Sequence, residues 1–279
     1  MSVTVTLHVF SGRPDPAWEL TDDQAKELAD RLGLISKTTL LKPPGIVGGL
    51  GYRGFTISSV REKDFEPEMY IHAGVIDLAR FDANLSTDDA DLEQWLLSTA
   101  GQSVESSVEQ YVNQELSGRK ILALAPSARI LAVPPYNPGK WNNDQNIQRR
   151  NNCYNYANDK ITNTFAQPGR GSGQSWTQLL ACGTDVAPAA QRDGQVPVSS
   201  ASSTPSQGHF VALVLGVGYD YHWYRLDSNA VWSHKPGQTP ARNTDNAGRP
   251  ISDPRNCDRG PYGVFCGLFH CIPANTRVN

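Results

Sequence analysis

Apolar and polar residues alternate from Val3 to Phe10, with aliphatic side chains at every second place, and this period of two predicts a strand that SGRPDP ends. At Thr21 the period changes. Ala25, Leu28, Ala29 and Leu32 fall on one helical face, Thr21 and Gln24 have capping-box spacing, and Gly33 is a stop, so a helix is predicted. Strands follow at Gly54–Val60 and Glu68–Ile76, and helices at Thr87–Leu97 and Ser103–Leu116. Four prolines and several turn formers in PSARILAVPPYNPGKWNNDQN then mark a boundary. Beyond it, Tyr154, Ala157, Ile161 and Phe165 recur at helical spacing behind a cap at Asn151 or Asn152. GHFVALVLG (Gly208–Gly216) and YHWYRLDSNAVWSH (Tyr221–His234) read as neighbouring strands. The pattern predicts an α+β protein: an accessory or docking domain over residues 1–125 and a loop-heavy domain with an antiparallel sheet over 126–279.

Composition narrows the classes. In 279 residues, a hydrophobic content of 39% is enough for two modest cores. A formal net charge of -3 supplies no basic field for a phosphate backbone, so nucleic acid is not an expected partner. The longest apolar runs, such as FVALVLGVG, are too short to span a bilayer. MSVTVTLHVFSGRPDP has no basic start followed by an apolar run and does not read as a secretory signal, so the chain stays inside, leaves by another route or has had a signal removed; export without an evident signal is favoured over a cytoplasmic place. The cysteines, at 153, 182, 257, 266 and 271, are odd in number. In an oxidising compartment the arithmetic predicts two disulfides among Cys182, Cys257, Cys266 and Cys271, with Cys153 free; in a reducing one, five thiols.

Cys153 carries the candidate chemistry. In the first turn of a helix, unpaired N–H groups and the positive dipole end favour a thiolate nucleophile, the alternatives being a disulfide half or a buried thiol. A base is available in His209, which follows Gly208 at the mouth of an apolar strand. Asp227, at the end of the next strand, is placed to orient that imidazole; Asn229 competes with it, and His222 and His234 compete with His209. Asn152 and Tyr154, beside Cys153, and His234, on a turn, are candidate cleft or substrate contacts. Asp245, Asn246, Asp253 and Asp258 are oxygen-bearing, but their spacing fits no calcium loop, so neither metal nor cofactor is expected.

The order of a cysteine at a helix start, a glycine-preceded histidine on a strand and a polar residue beside it resembles the papain-like fold. The likeness is to its compact version, the NlpC-type cell-wall peptidases and the cysteine- and histidine-dependent amidohydrolase/peptidase group. It covers roughly Tyr136 to Cys271; GHFVALVL matches the family's Gly-His followed by apolar residues, whereas NNCYNYA departs from the Asp-Cys-Ser-Gly run of the NlpC type. The resemblance implies a thiol hydrolase acting on an amide through an acyl-enzyme, with a peptide, a peptidoglycan-like stem or a target protein as substrate. It also implies an oxyanion role for the upstream Tyr136. Acyltransferase or deamidase chemistry on a protein target uses the same groups. The contrasting expectation is a non-catalytic, disulfide-stabilised module whose aromatic loops hold a glycan or protein.

Overall fold

The computed structural model describes residues 2–33, 49–61, 64–65, 69–72, 74–78, 83–86, 91–117, 137–179, 181–201, 205, 207–228 and 230–279. The chain divides into two units: Met1–Val9, Asp15–Val47 and Tyr52–Ala128 form the first, and Phe10–Pro14, Gly48–Gly51 and Arg129–Asn279 the second.

In the first unit, β1 (Ser2–Leu7), β2 (Ala17–Glu19), β3 (Phe55–Arg61), β4 (Asp64–Phe65), β5 (Met69–His72), β6 (Val75–Leu78) and β7 (Ala83–Ser86) form one antiparallel sheet in the order β2-β1-β3-β5-β6-β7, with β4 on β3. The alternation read from Val3 onward places Val5 and Leu7 in the core with Phe55 and Ile71. The strand predicted over Glu68–Ile76 is a hairpin instead, because Gly74 at φ 72° turns the chain between β5 and β6. Helix α1 (Asp22–Gly33) begins with the predicted box: Gln24 N–H donates to Thr21 Oγ1 and Thr21 N–H to Gln24 Oε1. Helices α2 (Asp91–Ser98) and α3 (Ser106–Ser117) follow in the unit and bury Leu96, Val108 and Val112.

The second unit opens with three short helices, α4 (Gly139–Asn142), α5 (Gln145–Arg150) and α6 (Cys153–Ala157), followed by α7 (Val186–Arg192). Strands β8 (Val196–Val198), β9 (His209–Gly216), β10 (Asp220–Leu226), β11 (Trp232–His234) and β12 (Val264–Cys271) make a second antiparallel sheet in the order β11-β10-β9-β12-β8. Helix α6 packs on β10, and its Cys153, Tyr154 and Ala157 join Val211, Leu213, Tyr221, Trp223 and Phe269 in one core.

The helix expected to run from Asn152 through Phe165 is only α6. Asn158 ends it, and Asp159, Asn163 and Phe165 take φ of 53°, 59° and 50°, left-handed values that no α-helix contains. Asn155 holds the departing loop: its amide donates to Lys160 O and Thr162 Oγ1, and its oxygen accepts from Ala166 N–H.

The cysteine arithmetic also changes. Cys182 and Cys266 form a disulfide, while Cys153 and Cys271 are buried thiols and Cys257 a half-buried one. The ladder between β9 and β12 shifts register between Phe265 and Gly267, a bulge that takes Cys266 out of step with the ladder beside its partner. Cys271 instead faces Asn158, and burial pushes its thiol up to about 12. Among the described residues, no helix is long and apolar enough to cross a membrane.

Candidate functional site

The ends of β9 and β10 and the loop after α6 enclose a cleft of about 630 Å³ in the second unit, of the size of a small-ligand site. His209, Phe210, Arg225, Asp227, Asp159 and Lys140 line it. Register explains this grouping: Arg225 pairs with Val211, so β9 begins, at His209, alongside the end of β10 that leads into Asp227. A smaller hollow of about 260 Å³ shares Ala201, Leu226 and Ala230 with the cleft and continues it past Trp232, Asp253 and Arg255.

Charges inside the cleft are mutually paired. Arg225 donates from Nε to Asp227 Oδ1 at 2.8 Å and from Nη1 to Asp159 Oδ1 at 3.2 Å, and Lys140 Nζ lies 2.8 Å from the same Asp159 oxygen. Its guanidinium also sits 4.1 Å from the Tyr156 ring centroid, and Nη2 donates to Tyr156 Oη at 3.0 Å. The array continues from Tyr156 Oη to Ser233 Oγ at 2.7 Å, and Ser233 donates in turn to Asp227 Oδ2. Burial would lower the arginine's pKa, but Tyr156, Asp227 and Asp159 together raise it, so this cation is permanent.

Two of the sequence candidates, His209 and Asp227, line this cleft together, but Asp227 is committed to Arg225 and Ser233. His209 donates from Nε2 to Ala157 O at 2.6 Å, because a carbonyl can only accept. Burial, with Arg225 adding to it, lowers the imidazole's pKa and keeps it neutral.

Cys153 stands elsewhere. It is 0% exposed, does not line the cleft, and sits close enough to Trp223 for that residue's backbone N–H to act on its sulfur. Trp223 pairs with Leu213, four residues along β9 from His209, a strand distance of roughly 14 Å. The α6 N-terminus alone would favour thiolate, but burial first, and then the Asp220 carboxylate, push the Cys153 thiol well above its usual pKa. Desolvation outweighs the dipole, so the group is a neutral core thiol. Among the described residues, no hydrogen bond joins Cys153, His209 and Asp227.

The remaining candidates are structural in this arrangement. Asn152 is the α6 cap: its oxygen accepts from the N–H groups of Tyr154 and Asn155, and its amide donates to Gly12 O and Ala166 O. Tyr154 donates to Asp193 Oδ2 at 2.8 Å from full burial. His234 is buried between His222 and Thr244 O, and desolvation, aided by Arg242, lowers it to about 3. Tyr136 and Asn229 lie outside the described residues. In the acidic loop, Asp245 accepts from Arg249 and from Asp258 N–H, while Asn246 is tied to Leu50. Arg225 and Lys140 were the residues sequence reading passed over. A signal existed, an arginine inside an aromatic strand two places before an aspartate, a spacing that puts both on one face.

No known family profile matches the chain, and no solved structure matches it. Over 155 residues the chain is 51% identical to insoluble matrix shell protein 1 of Ruditapes philippinarum, an alignment that takes in 55% of this chain and 99% of that protein. At that identity and coverage the chain belongs to the family of insoluble matrix shell protein 1.

Proposed function

We propose that this protein is a non-catalytic, extracellular matrix protein whose second unit holds an uncharged, hydroxyl-rich polymer, such as a polysaccharide, along the His209–Arg225–Asp227 cleft. The observation that carries this reading is the separation of Cys153, buried and neutral, from a cleft whose own charges are already paired. A paired array offers fixed donors and acceptors without a net field, which suits hydroxyl groups better than a charged ligand. The hollow beside Trp232 lengthens the groove, as a chain-like ligand requires. The Cys182–Cys266 disulfide and the kinship with an insoluble matrix shell protein support a place outside the cell.

The test combines two measurements on the folded protein. Retention on cellulose and chitin beads is expected, weakened about tenfold by Arg225→Ala, the equivalent of one lost charge-assisted hydrogen bond. Iodoacetamide at neutral pH is expected to leave Cys153 unmodified while Cys257, half-buried, reacts. Beads that retain neither protein would refute the ligand class.

The thiol hydrolase, or an acyltransferase or deamidase built on it, is the second reading. Two observations favour it: His209 and Asp227 share one cleft, and Cys153 opens a capped helix. It requires Cys153 to emerge and meet His209, and so predicts native labelling of Cys153 and loss of amide cleavage in Cys153→Ala.

A further inference from the structure

In the first unit a hydroxyl, an imidazole and a carboxylate stand in line. Thr56 Oγ1 is 2.6 Å from His8 Nε2, and His8 Nδ1 is 3.0 Å from Asp15 Oδ2. Three separate stretches of that unit supply them. Leu7 pairs with Phe55 and both are in the core, so their neighbours Thr6, His8 and Thr56 take the other face of the sheet, which is polar. His8 carries the ladder one residue past β1, its N–H donating to Gly54 O at 2.9 Å, and its ring reaches diagonally to Thr56. The chain then doubles back. Leu7 N–H donates to Pro16 O at 3.0 Å and Val9 N–H to Asp15 Oδ1 at 2.9 Å, which holds Asp15 beside the imidazole.

Asp15 sets the direction of both hydrogen bonds. Burial would raise its pKa, but the hydrogen bond from His8, the Arg53 guanidinium at 3.8 Å and the Val9 N–H together lower it, so the group is a carboxylate and can only accept. His8 therefore carries a hydrogen on Nδ1. When neutral, the ring presents its Nε2 lone pair to the Thr56 hydroxyl, which donates to it. The side chains of His8 and Asp15 are 7% and 1% exposed, whereas Thr56, at the outer end of the line, is half-buried.

Two neighbours complete the surroundings of Thr56. Tyr70 pairs with it on one side, its ring 6.2 Å from that of His8 and its hydroxyl donating to Arg53 O. Thr6 pairs with it on the other, half-buried, and among the described residues the Thr6 hydroxyl has no hydrogen-bond partner. Thr56 thus has a base behind its oxygen and a free donor beside it.

We propose that Thr56 is an acyl-acceptor site, a hydroxyl activated by His8 and Asp15 that takes an acyl group from an aryl ester or a thioester and keeps it. Thr56 Oγ1 bonds to the carbonyl carbon while His8 Nε2 takes the hydroxyl proton. The bond from that carbon to the leaving oxygen or sulfur then breaks, and the proton passes from His8 to the departing phenoxide or thiolate. His8 and Asp15 end as they began, and the products are a Thr56 ester and a free phenol or thiol. Thr6 is placed to donate to the oxyanion formed on the way. The donor class follows from the product: an alkoxide leaves less readily than a phenoxide or a thiolate, so the threonine ester is a poorer acyl donor than either reagent. Transfer runs toward Thr56 and stops at one acyl group per chain. The hydroxyl is consumed, so this is a modification site, independent of the polymer cleft.

The test uses p-nitrophenyl acetate at neutral pH on the folded, full-length chain, with each acetyl group located by peptide mass mapping after short exposures. Thr4 and Ser58, paired with each other and half-buried on the same face, are internal standards, since among the described residues no imidazole is bonded to either. Thr56 is expected to be acetylated about 100-fold faster than either, the low end of what a positioned base contributes. In Asp15→Asn the amide donates to His8 Nδ1, so the imidazole hydrogen moves to Nε2 and nothing accepts the Thr56 proton. The Thr56 rate is expected to fall at least about tenfold, with nitrogen NMR showing the hydrogen on Nε2. Thr56→Ser is expected to stay reactive, because a primary hydroxyl fills the same place. Equal rates at Thr56, Thr4 and Ser58 overturn the proposal, as does an Asp15→Asn chain whose His8 hydrogen moves while its Thr56 rate holds. So does release of p-nitrophenol through Thr56 beyond one equivalent per chain. Should Asp15→Asn not fold, the wild-type chain decides by its rate ratio and by nitrogen NMR, where a His8 hydrogen on Nε2 overturns the proposal.

Discussion

Replacing Lys235 by methionine is expected to cost about 3 kcal/mol of stability or more, because three carbonyls lose the donor they share at about 1–3 kcal/mol each. Lys235 is 0% exposed, and its ammonium donates to Gln148 O, Asn151 O and Gly237 O at 2.5, 2.6 and 2.6 Å. Two of these carbonyls close α5, whose C-terminal dipole the cation also meets. Methionine has similar length and no donor, so it removes the buried charge but leaves three buried carbonyls to find partners, at about 1–3 kcal/mol each. The second cost exceeds the relief gained by the first. Asn151 directly precedes the α6 cap, so the loss is read from urea unfolding followed by tryptophan fluorescence, to which Trp141 and Trp223 of this unit contribute among the six tryptophans of the chain. A loss below about 1 kcal/mol would show that the carbonyls are satisfied without the lysine.

Local signals in the sequence were legible. Thr21 and Gln24 announced α1 because a capping box is complete within four residues. The hairpin of β9 and β10 was visible because Phe210–Leu215 is apolar throughout and a glycine-containing turn follows. The α6 cap was narrowed to Asn151 or Asn152 for the same reason, and it is Asn152. The end of α6 was hidden: Asp159, Asn163 and Phe165 adopt left-handed backbone without being glycine, held there by the Asn155 side chain and other tertiary contacts. So was the environment of Cys153. A helix start argues for thiolate, and only the packing of Tyr221 and Trp223 around it reveals that burial prevails. The role of Asp220 as the anchor of the Ser11–Arg13 backbone was hidden because Ser11 lies 209 residues away in the chain.

Removing the disulfide with the pair Cys182→Ser and Cys266→Ser is expected to lower stability by about 4–5 kcal/mol, because the bond closes a loop of 84 residues and loop-closure entropy grows with its logarithm. That loop contains β8 through β11 and the start of β12, so it ties the whole second sheet to the segment before α7. Both sulfurs also pack against the main core of the unit, with Trp176 and Val278, which adds a packing loss to the entropic one. The effect belongs chiefly to the unfolded chain, so the native near-ultraviolet spectrum should change little while the urea midpoint falls. Wild-type protein unfolded in excess dithiothreitol should match the double variant, and the variant itself should be indifferent to the reductant. Equal midpoints for oxidised and reduced wild type would mean that the bridge constrains nothing the fold does not already hold. The unpaired Cys257, Cys271 and Cys153 sharpen the comparison: two of the three are buried thiols inside the native core, so re-pairing during refolding is the competing event. Titration at about pH 5 keeps the thiols protonated and suppresses that event, and a midpoint difference between wild type and the double variant that survives there measures the Cys182–Cys266 loop.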